Sequence, residues 1–205
     1  MNNHSLLRQA QTALSQDDLL DLAGELIGTI GLERLSCGAL AERADLSHEQ
    51  VFRFFKDRGT LIDQMVDRLY QRQTEALNIW FGHFAARGQA IMAEHVEDLM
   101  LALFAASASV VGAAQLHQAL HGQANLAPRR KAMRSMIADR FADAVAKFTP
   151  GSSRDALWPR YRLAVEMALS TETLALTPSD AKRVPNPQRL AREGARVLRL
   201  ALEAA

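Results

Sequence analysis

The densest run of groups able to form directional hydrogen bonds is Leu46-Ser47-His48-Glu49-Gln50-Val51-Phe52-Arg53-Phe54-Phe55. A glutamine amide matches adenine N6 and N7, a histidine nitrogen donates to the guanine acceptors, and a carboxylate accepts from cytosine N4. His48, Glu49 and Gln50 therefore bring together side chains suited to reading base edges in a major groove. Arg43, Arg53 and Arg58 stand near them with guanidinium groups that suit phosphate oxygens. Ser36 and Ser47 can touch phosphates too, although each is already explained as a helix cap. The plainer account of all these residues is an ordinary solvent-facing helix surface.

Other spacings offer weaker chemistry. His117 and His121 are close enough on one helix to share a metal, but no third ligand stands nearby and no metal is expected. His83 and His95 can hydrogen-bond a ligand or simply reach the surface. Arg129, Arg130, Lys131 and Arg134 open a predicted helix, where cations oppose its dipole. They suit an anion or an acidic partner; a solvated face is the simpler account. Cys37 is the single cysteine, which excludes an internal disulfide and fits a small buried residue better than a redox sensor. The sequence has no phosphate-cradling glycine loop, no recognisable nucleophile motif and no carboxylate pair with a visible task. Neither catalysis nor a cofactor is expected.

These groups need a scaffold, and the composition points to helices. The 205 residues are 48% hydrophobic, enough for a sizeable core, and β-branched residues are sparse beside Ala, Leu, Arg, Gln and Glu. The formal net charge of +1 decides nothing about nucleic acid, but its distribution is uneven: residues 1–60 carry six basic and nine acidic side chains. A DNA reader concentrates positive charge where it meets phosphate, so an acidic head weighs against tight binding. No apolar run is long enough for a membrane span, and Met1-Asn2-Asn3-His4 does not open a signal sequence. With a lone cysteine, these features suggest the cytoplasm.

Ser15 predicts a helix start with Asp18 completing a capping box, and Leu19, Leu22, Ala23, Leu26, Ile27 and Ile30 follow at helical spacing up to Gly31. Ser36 predicts a second helix over Cys37 to Ala44. Ser47 and Gln50 predict a third, with Leu46 and Val51 placed as a hydrophobic staple. That geometry leaves His48, Glu49 and Gln50 on an exposed first turn and turns Val51, Phe54 and Phe55 inward. Asp57 caps a fourth, long helix ending near Gly88. Further helices are expected over about 89–105, 107–121, 127–148, 155–177 and 187–203, the last capped by Asn186 with Pro187 at its first position. Pro159 leaves the start of the 155–177 helix open.

Residues 17–70 resemble, without gaps, the TetR family of transcriptional regulators. The resemblance is carried by Gly31-Leu32-Glu33-Arg34-Leu35-Ser36, Leu40-Ala41-Glu42-Arg43-Ala44-Asp45-Leu46-Ser47, Val51-Phe52-Arg53-Phe54-Phe55 and Asp57-Arg58-Gly59-Thr60-Leu61. It implies an all-α protein: a three-helix helix-turn-helix DNA-binding domain at 1–60, joined by a long helix to a helical ligand-binding and dimerisation domain at 61–205. It further implies a homodimer through about 155–177 and 187–203, a double-stranded DNA operator, and release of that operator when a small apolar effector binds. Trp80, Phe84, Met100, Phe104, Met133 and Met167 are the candidates to line the effector pocket, since Met and aromatic side chains suit adaptable apolar cavities. At helical spacing the same residues also read as plain core.

Four positions depart from the family pattern. Asp45 replaces the usual turn glycine, Phe52 the usual phosphate-contacting tyrosine, and Arg58 the usual lysine of the fourth helix, while Glu49 places an acid toward phosphate. With the acidic head, Phe52 and Glu49 motivate an alternative: a helical ligand-binding or interaction module whose helix-turn-helix has lost useful DNA affinity.

Overall fold

The computed structural model describes residues 14–176 and 186–204, and every regular element among them is helical. The chain divides into two compact units, 1–65 and 66–205. The first unit holds α1 (Gln16–Ile30), a 3-10 turn (Leu32–Arg34), α2 (Cys37–Ala44), α3 (His48–Phe52) and the first turns of α4 (Arg58–Phe84). Residues 1–13, which include the expected absence of a signal sequence, lie outside the described residues.

Each α-helix start in the first unit follows from a side chain that satisfies otherwise unpaired helix N–H groups. Ser15 Oγ accepts from Asp18 N at 3.2 Å, and the Asp18 carboxylate accepts from Ser15 N at 2.8 Å. Ser36 Oγ accepts from Ala39 N at 3.1 Å, and Asp57 Oδ1 accepts from Thr60 N at 2.7 Å. That second role holds the Asp57 carboxyl below its usual range. Such caps are worth about 1 kcal/mol each. Asp45 ends α2 in the left-handed region (φ 52, ψ 43), a conformation aspartate tolerates better than most residues. Beneath the caps, Leu19, Ile27, Leu35, Leu40, Val51, Phe55 and Leu61 are fully buried. Phe54, expected inward with Val51 and Phe55, is only half-buried.

The second unit continues with α5 (Gln89–Glu94), α6 (Val96–Ala108), α7 (Ala113–Gly122), α8 (Ala127–Ala146), α9 (Arg154–Leu176) and α10 (Pro187–Glu203). Two expected helices differ. The one over 89–105 is broken at His95, whose φ of −99 and ψ of 8 end α5 before α6 begins. The one over 107–121 starts six residues late, at Ala113, because Gly112 adopts a left-handed φ of 79. The start near Pro159 resolves as Arg154: Ser153 Oγ accepts from Ala156 N at 3.2 Å, and Pro159 lies within α9. Residue 177, the expected end of that helix, lies outside the described residues.

The core of this unit is built on Trp80, Phe81, Phe141 and Tyr161, with ring centroids 5.0 to 5.8 Å apart from Trp80 through Tyr161. Full burial of each such ring stabilises by about 2–3 kcal/mol before packing is counted. Helix α10 reaches its neighbours through Gly194. A Cβ there would lie 2.9 Å from Ala168 O, 2.7 Å from Thr171 Oγ1 and 2.8 Å from Met100 Cε. Among the described residues no single helix is long and apolar enough to cross a membrane.

Candidate functional site

The first-turn side chains of α3 are set by its cap. Ser47 Oγ accepts from Gln50 N at 3.2 Å while Gln50 Oε1 accepts from Ser47 N at 2.8 Å. With Val51 fully buried below, His48, Glu49, Gln50, Phe52 and Arg53 are left exposed on one short element. The cap also changes what Gln50 offers. Its carbonyl oxygen is occupied, so the two-point adenine match expected of it requires breaking the capping box, and the amide NH2 alone is ready to donate. His48 rests against α2, with Nε2 only 3.1 Å from where a Gly38 Cβ would stand. The glycine thus lets the imidazole lie on the backbone at the start of α2.

The basic residues of the head are not all equally available. Arg58 donates from Nε to Leu35 O at 2.8 Å and from Nη2 to Leu32 O at 2.9 Å, tying the 3-10 turn to the start of α4. Its expected phosphate role is left with Nη1 and the second N–H of Nη2. Arg43 pairs with Glu25 at 2.7 Å, and Arg53 approaches Glu49 at 3.9 Å. Both pairs are solvent-exposed, worth well under about 1 kcal/mol, and readily exchanged for another anion. Ser36 is half-buried and serves as a cap. Cys37 donates weakly to Phe55 O at 3.7 Å, and burial with the nearby Asp57 charge pushes its thiol up, away from a reactive thiolate.

The candidate effector residues do not converge. Trp80 and Phe84 line one surface groove with Ile79, His83 and Asp98, an apolar space of about 410 Å³. Trp80 Nε1 donates to His95 O at 2.8 Å, and the Phe84 ring stacks on the His95 imidazole at 4.3 Å. Met100 and Phe104 are buried in the core, Met100 against Gly194. Met167 is 52% exposed and lines neither space. Met133 alone of the six faces the other internal feature, a polar cavity.

That cavity is walled by Tyr70, Gln73, His117, Arg130, Arg134 and Glu172, with Leu120, Met133 and Leu169 between them. Glu172 Oε1 accepts from Gln73 Nε2 at 2.8 Å and from the Ser107 hydroxyl. Its carboxyl is fully buried, and desolvation pushes it up to about 7. His117 Nε2 lies 3.8 Å from Glu172 Oε1, too far for a hydrogen bond, and burial with the Arg134 charge pushes the imidazole down to about 4. Arg134 is 6% exposed, ion-paired to Glu166, and 3.2 Å from His121 Nε2. His117 and His121 thus belong to this cluster, and no group of three metal-ligating side chains forms among the described residues.

Gln73, Ser107 and Glu172 match no motif in the sequence. Their one signal is pattern: Gln73 interrupts the stripe Leu69, Leu77, Trp80, and Glu172 interrupts Val165, Ala168, Leu169. A polar residue on an apolar face is the informative kind of burial.

A third surface lies on α9 and α10. Leu163, Met167, Ser170 and Leu174 recur at helical spacing and all face solvent, as does Leu200 of α10. Leu163 is 62% and Leu200 67% exposed. No protein-family model matches the chain, and no curated protein matches it either.

Proposed function

We propose that the chain is a DNA-binding transcriptional regulator of the TetR type, a homodimer that acts as a repressor and leaves its operator when a small molecule occupies the second unit. The observation that carries the reading is the first turn of α3. A reciprocal cap fixes it, Val51 anchors it from below, and its polar edge of His48, Glu49 and Gln50 is turned to solvent. An exposed polar helix start following a short turn after α2 suits insertion into a major groove, with Arg43 and Arg53 beside it for phosphates.

Dimerisation is supported by the apolar stripe on α9 with Leu200 on α10. Leu163, Met167 and Leu174 lie exposed on one helix face rather than scattered singly, and a second copy would cover them. Two heads would then meet successive major grooves, roughly 34–36 Å apart or a modest stretch beyond.

The direct test is a mobility shift with labelled fragments covering the upstream region of its own gene and the neighbouring promoters. A complex at low ionic strength that weakens steeply with salt supports the reading. No complex under those conditions overturns it. The head itself motivates the second reading, a helical module without useful DNA affinity. Arg43 and Arg53 both face acids, Phe52 is 59% exposed with no hydroxyl to donate, and Glu49 stands at the groove-facing edge. Under that reading Glu49→Lys creates DNA binding where the parent has none.

A further inference from the structure

Among the described residues the second unit buries five polar or charged side chains, Gln73, Ser107, His117, Arg134 and Glu172, that its apolar core does not require. Four of the five wall the same cavity, and Ser107 donates to the Glu172 carboxylate that closes it. The space within is about 20 Å³, room for a single water-sized group. Tyr70, His121 and Arg130 form the more exposed part of the wall.

The hydrogen-bonding inventory of this wall is lopsided. Glu172, the one carboxylate in it, already accepts from two donors. The buried wall atoms left without a partner are both nitrogens, His117 Nε2 and Arg130 Nε. His117 is 6% exposed, so its orphaned nitrogen is not served by bulk water. Charge does not cancel that surplus. Arg134 stays charged although burial pushes it down to about 10, and Glu166 balances it from outside the wall. Glu172 sits near its midpoint at neutral pH, and Tyr70, pushed up to about 12 by burial, keeps its hydroxyl proton. With Arg134 already paired to Glu166, the surplus rests on His117 Nε2 and Arg130 Nε, and these suit a group that brings acceptors.

We propose that this cavity receives the carboxylate head of a small organic acid, held by the orphaned His117 and Arg130 nitrogens, with its apolar body against Leu120, Met133 and Leu169. A carboxylate with its carbon chain is larger than the existing space, so its entry requires the unbranched Met133 to yield. The apolar part of the wall favours a carboxylic acid over an inorganic anion. The inference deepens the regulator reading by giving its effector a charged head where a wholly apolar molecule was expected, and it depends on that reading only for what binding accomplishes.

The test uses the whole purified chain without DNA. Its thermal transition is followed with straight-chain carboxylates from acetate to octanoate, the matching amides, and inorganic phosphate. At least one carboxylate should raise the transition saturably, while its amide and phosphate should not. Arg130→Gln should weaken that response about tenfold, the loss expected of a charge-assisted hydrogen bond. Arg130 is half-exposed and its Nε has no partner, so the variant should fold. His117→Asn, which removes the other orphan, should weaken it similarly. No response to any carboxylate, an equal response to amide or phosphate, or an unchanged response in Arg130→Gln overturns the assignment. Binding without any DNA complex leaves the cavity assigned and removes the regulator reading; a DNA complex without carboxylate binding does the reverse.

Discussion

The polar side chains of the two units are placed in opposite environments. In the first unit, His48, Glu49, Gln50 and Arg53 project from α3 into solvent, and the core beneath them is wholly apolar. In the second, Gln73, His117, Arg134 and Glu172 are withdrawn among apolar neighbours. Exposed charges cost the fold little and contribute little to it, so the edge of α3 is free to be chosen for what it touches. Buried charges are costly unless paired, so the second set persists only where the network, or something that enters it, repays desolvation. One region is a surface whose chemistry is independent of stability; in the other, chemistry and stability are one quantity.

The sharpest way to break that contrast is to remove one cation from each region. Arg134→Ala removes a buried guanidinium and leaves Glu166 to Arg162 alone, and should cost about 2–3 kcal/mol by urea denaturation. Arg43→Ala, which breaks only the exposed pair with Glu25, should cost less than about 1 kcal/mol. Equal effects would mean that the buried network is wetter than its burial implies.

The next test uses pH. In the folded chain Glu172 is raised from 4.5 to about 7, so between those values the native state holds a proton that the unfolded state lacks, and stability falls as pH rises. His117 is lowered from 6.5 to about 4, so in that window the native state lacks a proton that the unfolded state holds, and stability rises with pH. The two slopes oppose each other across most of the same range, and the parent should show little dependence from this pair. Glu172→Gln leaves the histidine alone and should gain up to about 3 kcal/mol between about pH 4 and 6.5. His117→Gln leaves the carboxylate alone and should lose a similar amount between about pH 4.5 and 7. Parallel slopes in the two variants would show that neither group is buried in the state assigned to it. Neighbouring Arg134 and Tyr70 keep their charge states throughout this range, and burial with the nearby cations lowers His121 in parent and variants alike.

A smaller effect is expected where the second unit packs most tightly. Gly194→Ala sets a methyl 2.9 Å from Ala168 O, a backbone atom that no side-chain rotation can move away. The substitution should destabilise by about 1–3 kcal/mol, measured by the urea midpoint.

The same contrast governs what the sequence discloses. Ser15, Ser36, Ser47, Asp57 and Asn186 announce helix starts through local hydrogen bonds, and all five act as caps. The exposed edge of α3 follows directly, since its geometry depends on four consecutive residues. Asp45 was legible for a similar reason, a side chain that tolerates the left-handed turn. The buried cluster depends on residues as distant as Gln73 and Glu172, whose meeting is set by packing rather than by local pattern. Apolar spacing alone also could not tell the core side of α9 from its outer side, which is why Met167 was grouped with Met100 and Met133. The break at Gly112 lies in an apolar run through which helical periodicity passes, and at His95 the apolar positions Met92, Val96 and Leu99 keep helical spacing across the break.

The smallest effect on stability is expected on α3, and there the comparison becomes most discriminating. Arg53→Ala removes an exposed side chain whose one ion pair, with Glu49, is 3.9 Å long, so stability should change by less than about 0.5 kcal/mol. If the edge of α3 meets DNA, the same substitution should weaken the complex about tenfold and reduce the salt slope by about one phosphate contact. Glu49→Ala should act in the opposite sense on affinity, because it removes an acid from the path of the phosphate and releases Arg53. A protein surface that carries no function would leave both variants unchanged in both measurements. Only a surface selected for a partner separates them, leaving the fold untouched while moving affinity in two directions.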